Sequence, residues 1–311
     1  MSDFLIAAWD LSAKTAQPVD DISAGLKSEH WYHFQRDAKG LDAWLNTQSL
    51  PEPLISSLLA DDTRPRFEAY SDDCFLFILR GINLNEGSEP DDMLSIRLLW
   101  YRGALISTRK LPSKAVSNIL SALQNQRGPS NIPDLLVSII AGINGAIDTF
   151  LTPIEEQLNA YDSPKVQDLE ALNALQSRLL RVRRYLKPQR YALDDLLQAD
   201  LPELSLKKHH FKNGLDMVMR LNESIDFYLE QIGHNLMHID QVQTQAMNRN
   251  TYLFSVIAGI FLPASFFTGL LGVNVAGIPG ESEPLAFTFL CVSIVAIVLV
   301  EILLLRILRF I

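Results

Sequence analysis

The sequence predicts an α+β membrane protein: an N-terminal cytoplasmic α/β domain, then a long stalk helix that continues into the first of two C-terminal transmembrane helices. Three observations predict it. Thirty-one consecutive residues, Asn250 to Gly280, carry no charge, and a second apolar run follows from Leu285 to Val300. Upstream, short β-rich runs give way after Pro112 to apolar residues at helical spacing.

The β-rich runs are Phe4 to Leu11, Trp31 to Arg36, Arg66 to Tyr70, Phe75 to Leu84 and Leu94 to Arg109. The last breaks at Tyr101-Arg102-Gly103, which reads as a hairpin turn. Helical stretches at Leu41 to Thr47 and Pro53 to Leu59 lie between these runs, so residues 1–130 read as an α/β domain on a largely antiparallel or mixed sheet. Residues 131–250 form a helical region. Its first helix is expected from Pro133 to Ala160, with the proline in the first turn. A second restarts at Pro164 and runs to about Leu197, with Arg178, Arg181, Arg183 and Arg184 on a leucine frame and a kink expected at Pro188. Pro202 ends that unit. A continuous helix from Leu206 to Gly272 would reach about 100 Å at 1.5 Å per residue.

Charge divides the chain in the same place. Of a formal net charge of -9, residues 281–311 supply only -1, so the segment before Asn250 is acidic. A negative surface disfavours nucleic acid as a partner and concentrates cations. Met1 to Leu11 has no basic stretch ahead of its apolar residues and does not read as a secretory signal. Cys74 and Cys291 form no CxxC pair and no disulfide framework.

Crossing about 30 Å of hydrocarbon takes roughly 20 apolar residues. Residues 251–272 meet that length as the first transmembrane helix, and residues 285–305 meet it again as the second. Arg249 precedes the first span and Arg306 and Arg309 close the second, whereas the external loop 273–284 holds two acids and no base. The positive-inside rule therefore puts both termini and the basic tail 306–311 in the cytoplasm.

At a spacing of four then three, Thr251, Ser255, Ala258, Leu262, Ser265, Gly269 and Gly272 share one helix face, while Leu253, Phe254, Ile257, Ile260, Phe261, Phe267, Leu270 and Leu271 lie opposite. A face of small and hydroxylic residues suits close helix packing or the lining of a water-filled path. The same phase continues backwards through Asn248, Thr244, Gln241, Met237, His234, Glu230 and Glu223, where a buried seam would be leucine-rich. Two spans cannot enclose a path, so a path needs several copies of the chain.

Leu262-Pro263-Ala264-Ser265, Thr268-Gly269 and Gly272-Val273-Asn274, at the outer end of the first of two C-terminal spans, resemble the CorA superfamily of divalent-cation transporters. The likeness extends over the whole chain. Val273 in place of the usual methionine, the loop Val275 to Gly280, and the segments Met93 to Arg97 and Leu105 to Arg109 are similar to the ZntB zinc-transporter branch. The resemblance implies a funnel-shaped homopentamer in a bacterial inner membrane, with the first span lining the pore and five Gly-x-Asn motifs at its mouth. It also implies Zn2+ as chief substrate, with Cd2+, Ni2+ and Co2+ as further ones and no bound cofactor, and transport by proton-coupled uptake, with export as the alternative direction.

Stripping water from a divalent ion costs far more than a neutral lining returns, so the ion is expected to cross partly hydrated. Gly272, Val273 and Asn274 then form the selectivity region, with Asn274 presenting amide oxygens to the ion's water shell. Leu262 makes an apolar constriction, and Glu281 and Glu283 attract cations outside. His234 and His238, four apart on one face, suit zinc binding or are ordinary polar stalk residues. Glu301, the sole carboxylate of the second span, is either a proton carrier or an interfacial partner of Arg306 or Arg309. A passive Mg2+ or Co2+ channel and a membrane-anchored scaffold are the alternative readings. No nucleophile motif, phosphate loop or metal-ligand cluster points to an enzyme.

Overall fold

The computed structural model describes residues 3–13, 15–161, 165–273 and 284–307. It divides into two compact units, Met1–Leu236 and Met237–Ile311.

The first unit holds a seven-stranded mixed sheet: β1 (Leu5–Asp10), β2 (Gln17–Pro18), β3 (His30–Gln35), β4 (Arg66–Ser71), β5 (Cys74–Gly81), β6 (Leu94–Tyr101) and β7 (Ala104–Arg109). Their order is β2-β1-β3-β7-β6-β5-β4. Only β3 and β7 pair in parallel, with Trp31 opposite Leu105; the other neighbours are antiparallel. The two-residue β2 has no counterpart in the hydrophobic pattern. The turn from β6 to β7 has positive φ at Arg102 (49°) and Gly103 (79°), as a two-residue type I′ hairpin requires.

All eight residues of β5 are buried, Arg80 among them, and its first six, Cys74–Leu79, read as a continuous apolar run rather than an alternation. On one face, Leu76, Ile78, Leu99 and Ile106 pack with α1 (Leu41–Thr47) and α2 (Glu52–Leu59) through Leu41, Leu45, Leu54 and Leu58. Arg97, with no exposed surface, caps the end of α2 by donating to Leu58 O at 2.8 Å. Burial, with Arg36, Arg80 and Arg66 nearby, pushes its guanidinium down to about 9, so it still carries its charge at neutral pH.

Four helices follow: α3 (Lys114–Gln124), α4 (Ile132–Asn159), α5 (Leu169–Gln198) and α6 (Lys208–Leu271). Asn131 caps α4, accepting from Asp134 N–H at 2.8 Å, and Pro133 occupies the first turn. Pro164 lies outside the described residues, and α5 begins after a 3-10 turn at Val166–Asp168. Pro188 sits inside α5 without ending it. The long helix starts at Lys208, two residues later than its expected start, because Pro202–Lys207 winds as a 3-10 helix. Within the first unit α6 buries Phe211, Val218, Leu221, Ile225, Tyr228 and Ile232, a spacing of three and four that marks one face.

Asp91 belongs to an acidic doublet of the kind usually left on a solvated surface, yet only 2% of it is exposed. Its carboxylate accepts from Arg178 Nε at 3.2 Å and from Arg181 Nε. Burial alone would raise the Asp91 pKa, but the two arginines outweigh it and hold the carboxyl below its ordinary range. His33 is fully buried, with Nδ1 2.7 Å from Ser107 Oγ, which also accepts from Trp31 Nε1 at 2.7 Å. Burial and the nearby Arg109 push His33 down to about 3, so it is neutral in the fold.

Two outcomes follow for the stability of this unit. Removing both arginines in Arg178→Ala/Arg181→Ala strands a buried carboxylate and should cost roughly 3–5 kcal/mol. Asp91→Asn leaves two half-exposed arginines that water can reach and should cost less; denaturant midpoints compare the two. Unfolded His33 takes up a proton below about 6.5 while folded His33 resists it to about 3. Stability should therefore fall as pH drops through that window, by about 1.4 kcal/mol per unit at most. His33→Gln should flatten the dependence, read from Trp fluorescence against denaturant at each pH.

Candidate functional site

Among the described residues three helices are long and apolar enough to cross a membrane: α4, α6, and α7 (Ala286–Ile307). Burial separates them. Half of the apolar window of α4 is buried inside the protein, in a stripe that includes Leu136, Ile140, Ile143, Ile147 and Ile154. None of the windows in α6 and α7 is buried. Helices that apolar with no protein over them have their apolar surface free for hydrocarbon.

In the second unit each of the two apolar helices carries a half-buried stripe. Val256, Ile260, Pro263 and Ala264 of α6 are half-buried, as are Ala286, Leu290, Ile294, Ile297, Val298, Glu301 and Leu305 of α7. At 3.6 residues per turn, the half-buried face of α6 lies roughly opposite the Thr251 to Gly272 stripe. Every member of that stripe, Thr251, Ser255, Ala258, Leu262, Ser265, Gly269 and Gly272, is exposed. The small residues therefore lie on a face of α6 that is uncovered among the described residues. Leu262, 69% exposed, is the bulky member of the stripe.

Local chemistry along this face is modest. Ser255 donates to Thr251 O at 2.9 Å, so this hydroxyl turns back on the helix and offers lone pairs outward; Thr268, beside the stripe, does the same to Ser265 O at 3.0 Å. Gly259 and Gly269 have open space where a Cβ would stand, but a Cβ on Gly272 would lie 2.8 Å from Thr268 O. Gly272 N–H donates to that same carbonyl at 2.9 Å. The close approach at the end of α6 admits glycine and no other residue without moving backbone. Val273 follows, half exposed. Asn274, Glu281 and Glu283, with the rest of the loop, lie outside the described residues.

Towards the N-terminus the same helix phase stays exposed at Glu223, Glu230, His234, Met237, Gln241, Thr244 and Asn248. It also passes through Phe227, 60% exposed, a bulky aromatic that the polar reading of this stripe omits. His234 Nε2 is 3.8 Å from Glu230 Oε1, with both side chains exposed. His238 is exposed one turn on, and no group of three metal-ligating side chains occurs among the described residues. Glu301 is half-buried on α7, and it forms no ion pair with Arg306; Arg309 lies outside the described residues. The Asp91 pairing with Arg178 and Arg181 was open to sequence reading only through the two arginines' shared helix face three residues apart.

A family model described as CorA-like Mg2+ transporter protein matches residues 27–306. The chain is 40% identical over 309 residues to the zinc transport protein ZntB of Vibrio parahaemolyticus, covering 99% of this chain and 97% of that protein. It is 34% identical over 272 residues to the divalent cation transporter CmaX of Pseudomonas aeruginosa, covering 85% and 82%. The full-length CmaX structure matches with a TM-score of 0.83 at 29% identity, covering 99% of both chains. By sequence over nearly its whole length and by fold, the chain belongs to the CorA-like family, and the relatives it matches are transport proteins, not enzymes.

Proposed function

We propose that this protein carries divalent transition-metal cations, chiefly Zn2+, across the bacterial inner membrane, with Cd2+, Ni2+ and Co2+ as further substrates. The observation that carries this reading is the 40% identity, over almost all of both chains, to a protein named for zinc transport. The path is the exposed stripe of the first span, brought to the axis of a homopentamer because two spans per chain cannot enclose one. Both termini are cytoplasmic. The description of the matching family model favours a second reading, a passive Mg2+ or Co2+ channel.

On the first reading the ion keeps part of its water shell, since Asn250 to Gly280 offers no charge to replace it. Glu281 and Glu283 raise the cation concentration at the mouth. Asn274 holds amide oxygens to the hydration water, and Gly272 permits the backbone to end the helix there. Leu262 forms the apolar constriction at which dewetting stops flow. A potential of 100 mV, negative inside, favours entry by about 4.6 kcal/mol per divalent ion. Glu301, or the pair His234 and His238, supplies the proton-carrying group.

Purified protein in liposomes should take up Zn2+ faster than Mg2+, and faster still with an inward proton gradient; equal or preferential Mg2+ flux would establish the second reading. Gly272→Ala should cut Zn2+ uptake by roughly tenfold or more, equivalent to about 1.4 kcal/mol, by displacing the end of α6. Asn274→Ala should alter ion preference and Leu262→Ala should raise basal leak, and the pore assignment fails if both leave uptake unchanged. Glu301→Gln should abolish the response to the proton gradient while leaving flux driven by the membrane potential. If the response survives, the coupling group is to be sought at His234 and His238.

A further inference from the structure

Far along the chain from the membrane helices, residues 23–28, Thr47–Ser49 and the hairpin turn at 101–104 enclose a cleft of about 410 Å³. Backbone bonds lock its walls together. Leu26 N–H donates to Gln48 Oε1 at 2.9 Å, Lys27 N–H to Tyr32 Oη at 3.2 Å, and Glu29 N–H to Gly103 O at 2.9 Å. A Cβ on Gly103 would run into the Ser28 hydroxyl, and one on Gly25 would lie 2.8 Å from Gln48 Oε1. The walls are therefore close-fitted to one another.

Strain concentrates here. Of the five non-glycine residues with positive φ among the described residues, Ser49 and Arg102 line the cleft and Glu29 adjoins it. Backbone strain of this kind gathers where a ligand is held. Arg102 is the informative case. A type I′ turn is best served by Asn, Asp or Gly at its first central position, so the turn itself gives no reason for arginine. The side chain lies beside the cleft, with its guanidinium 5.1 Å from the centroid of the Tyr101 ring.

The lining carries two cations, Lys27 and Arg102, and no carboxylate, on a chain of net charge -9. Asp10 and Asp21 are within electrostatic reach of Lys27 but do not line the cleft. Neither cation forms an ion pair among the described residues. Ser28 and Ser49 add hydroxyl donors at the same surface. Two unpaired cations, hydroxyls and an aromatic wall together match a phosphate oxyanion, which arginine's fork engages with paired hydrogen bonds.

We propose that this cleft binds a phosphate group, with Arg102 and Lys27 on its oxygens, Ser28 and Ser49 donating to them, and Tyr101 walling the side where an organic substituent would lie. The proposal stands independently of the transport reading. It is tested by calorimetric titration of the full-length protein in nanodiscs with inorganic phosphate, ribose 5-phosphate, adenosine monophosphate and adenosine, at constant ionic strength in chloride. Saturable binding of a phosphate compound should weaken roughly tenfold in both Lys27→Gln and Arg102→Asn. Asparagine suits the turn, so Arg102→Asn should unfold at a temperature no lower than the parent. An ester bound more tightly than inorganic phosphate identifies an organic phosphate as the ligand, and the reverse identifies free phosphate. The proposal is overturned if none of the phosphate compounds binds saturably, if both variants bind unchanged, or if adenosine binds as well as its monophosphate.

Discussion

Apolar helix surface has to be covered by something apolar, and this requirement organises the molecule. Burial is favourable by roughly 25 cal/mol per Å², so a helix with a wide apolar face cannot stay in water. In α4 the face is covered by protein: Leu136, Ile140, Ile143 and Ile147 are all buried. In α6 beyond Asn250 and in α7 the apolar surface wraps around the helix, and protein covers little of it. The same composition thus leads to a core helix in one place and to a membrane address in the other.

That constraint also gives the small-residue stripe its meaning. Because the half-buried positions of α6 beyond Asn250 are Val256, Ile260, Pro263 and Ala264, the opposite face is left to other copies, lipid or water. Lipid has no use for a row of Thr251, Ser255, Ser265 and two glycines, whereas close packing between copies or a hydrated path uses them directly. Gly272 ends the row at a point where the Thr268 carbonyl leaves no room for a side chain. A flexible residue type there follows from sterics alone.

In the first unit the buried polar groups show the same economy of water. Arg97 is accommodated by the free carbonyl end of α2, Asp91 by two arginines of one helix, and His33 by giving up its proton. Each resolves the cost of burying a polar group differently: by a helix terminus, by an ion pair, and by neutralisation. The cleft at the β6–β7 turn is the exception. Its cations Lys27 and Arg102 are exposed rather than buried, and no carboxylate lines the cleft beside them.

Much of this was legible in the chain itself. Period-two and continuous apolar runs located β1 and β3 to β7 with α1 and α2, the Tyr101 to Gly103 turn, and both spans, because each pattern is local and its physics acts within a few residues. The stripe was legible too, as a spacing of three and four. Pairings between distant segments were not. The parallel partnership of β3 with β7, the burial of Asp91 against α5, and the cleft built from residues 23–28, 47–49 and 101–104 join parts of the chain whose proximity no local pattern encodes. Local periodicity by itself determined which surfaces are apolar, and hence the membrane address and the polar face of the first span. Only the tertiary structure decided which part of the apolar surface of α4 is buried against protein, and that the face of the first span opposite the stripe is half-buried, because what covers an apolar surface depends on the elements packed against it.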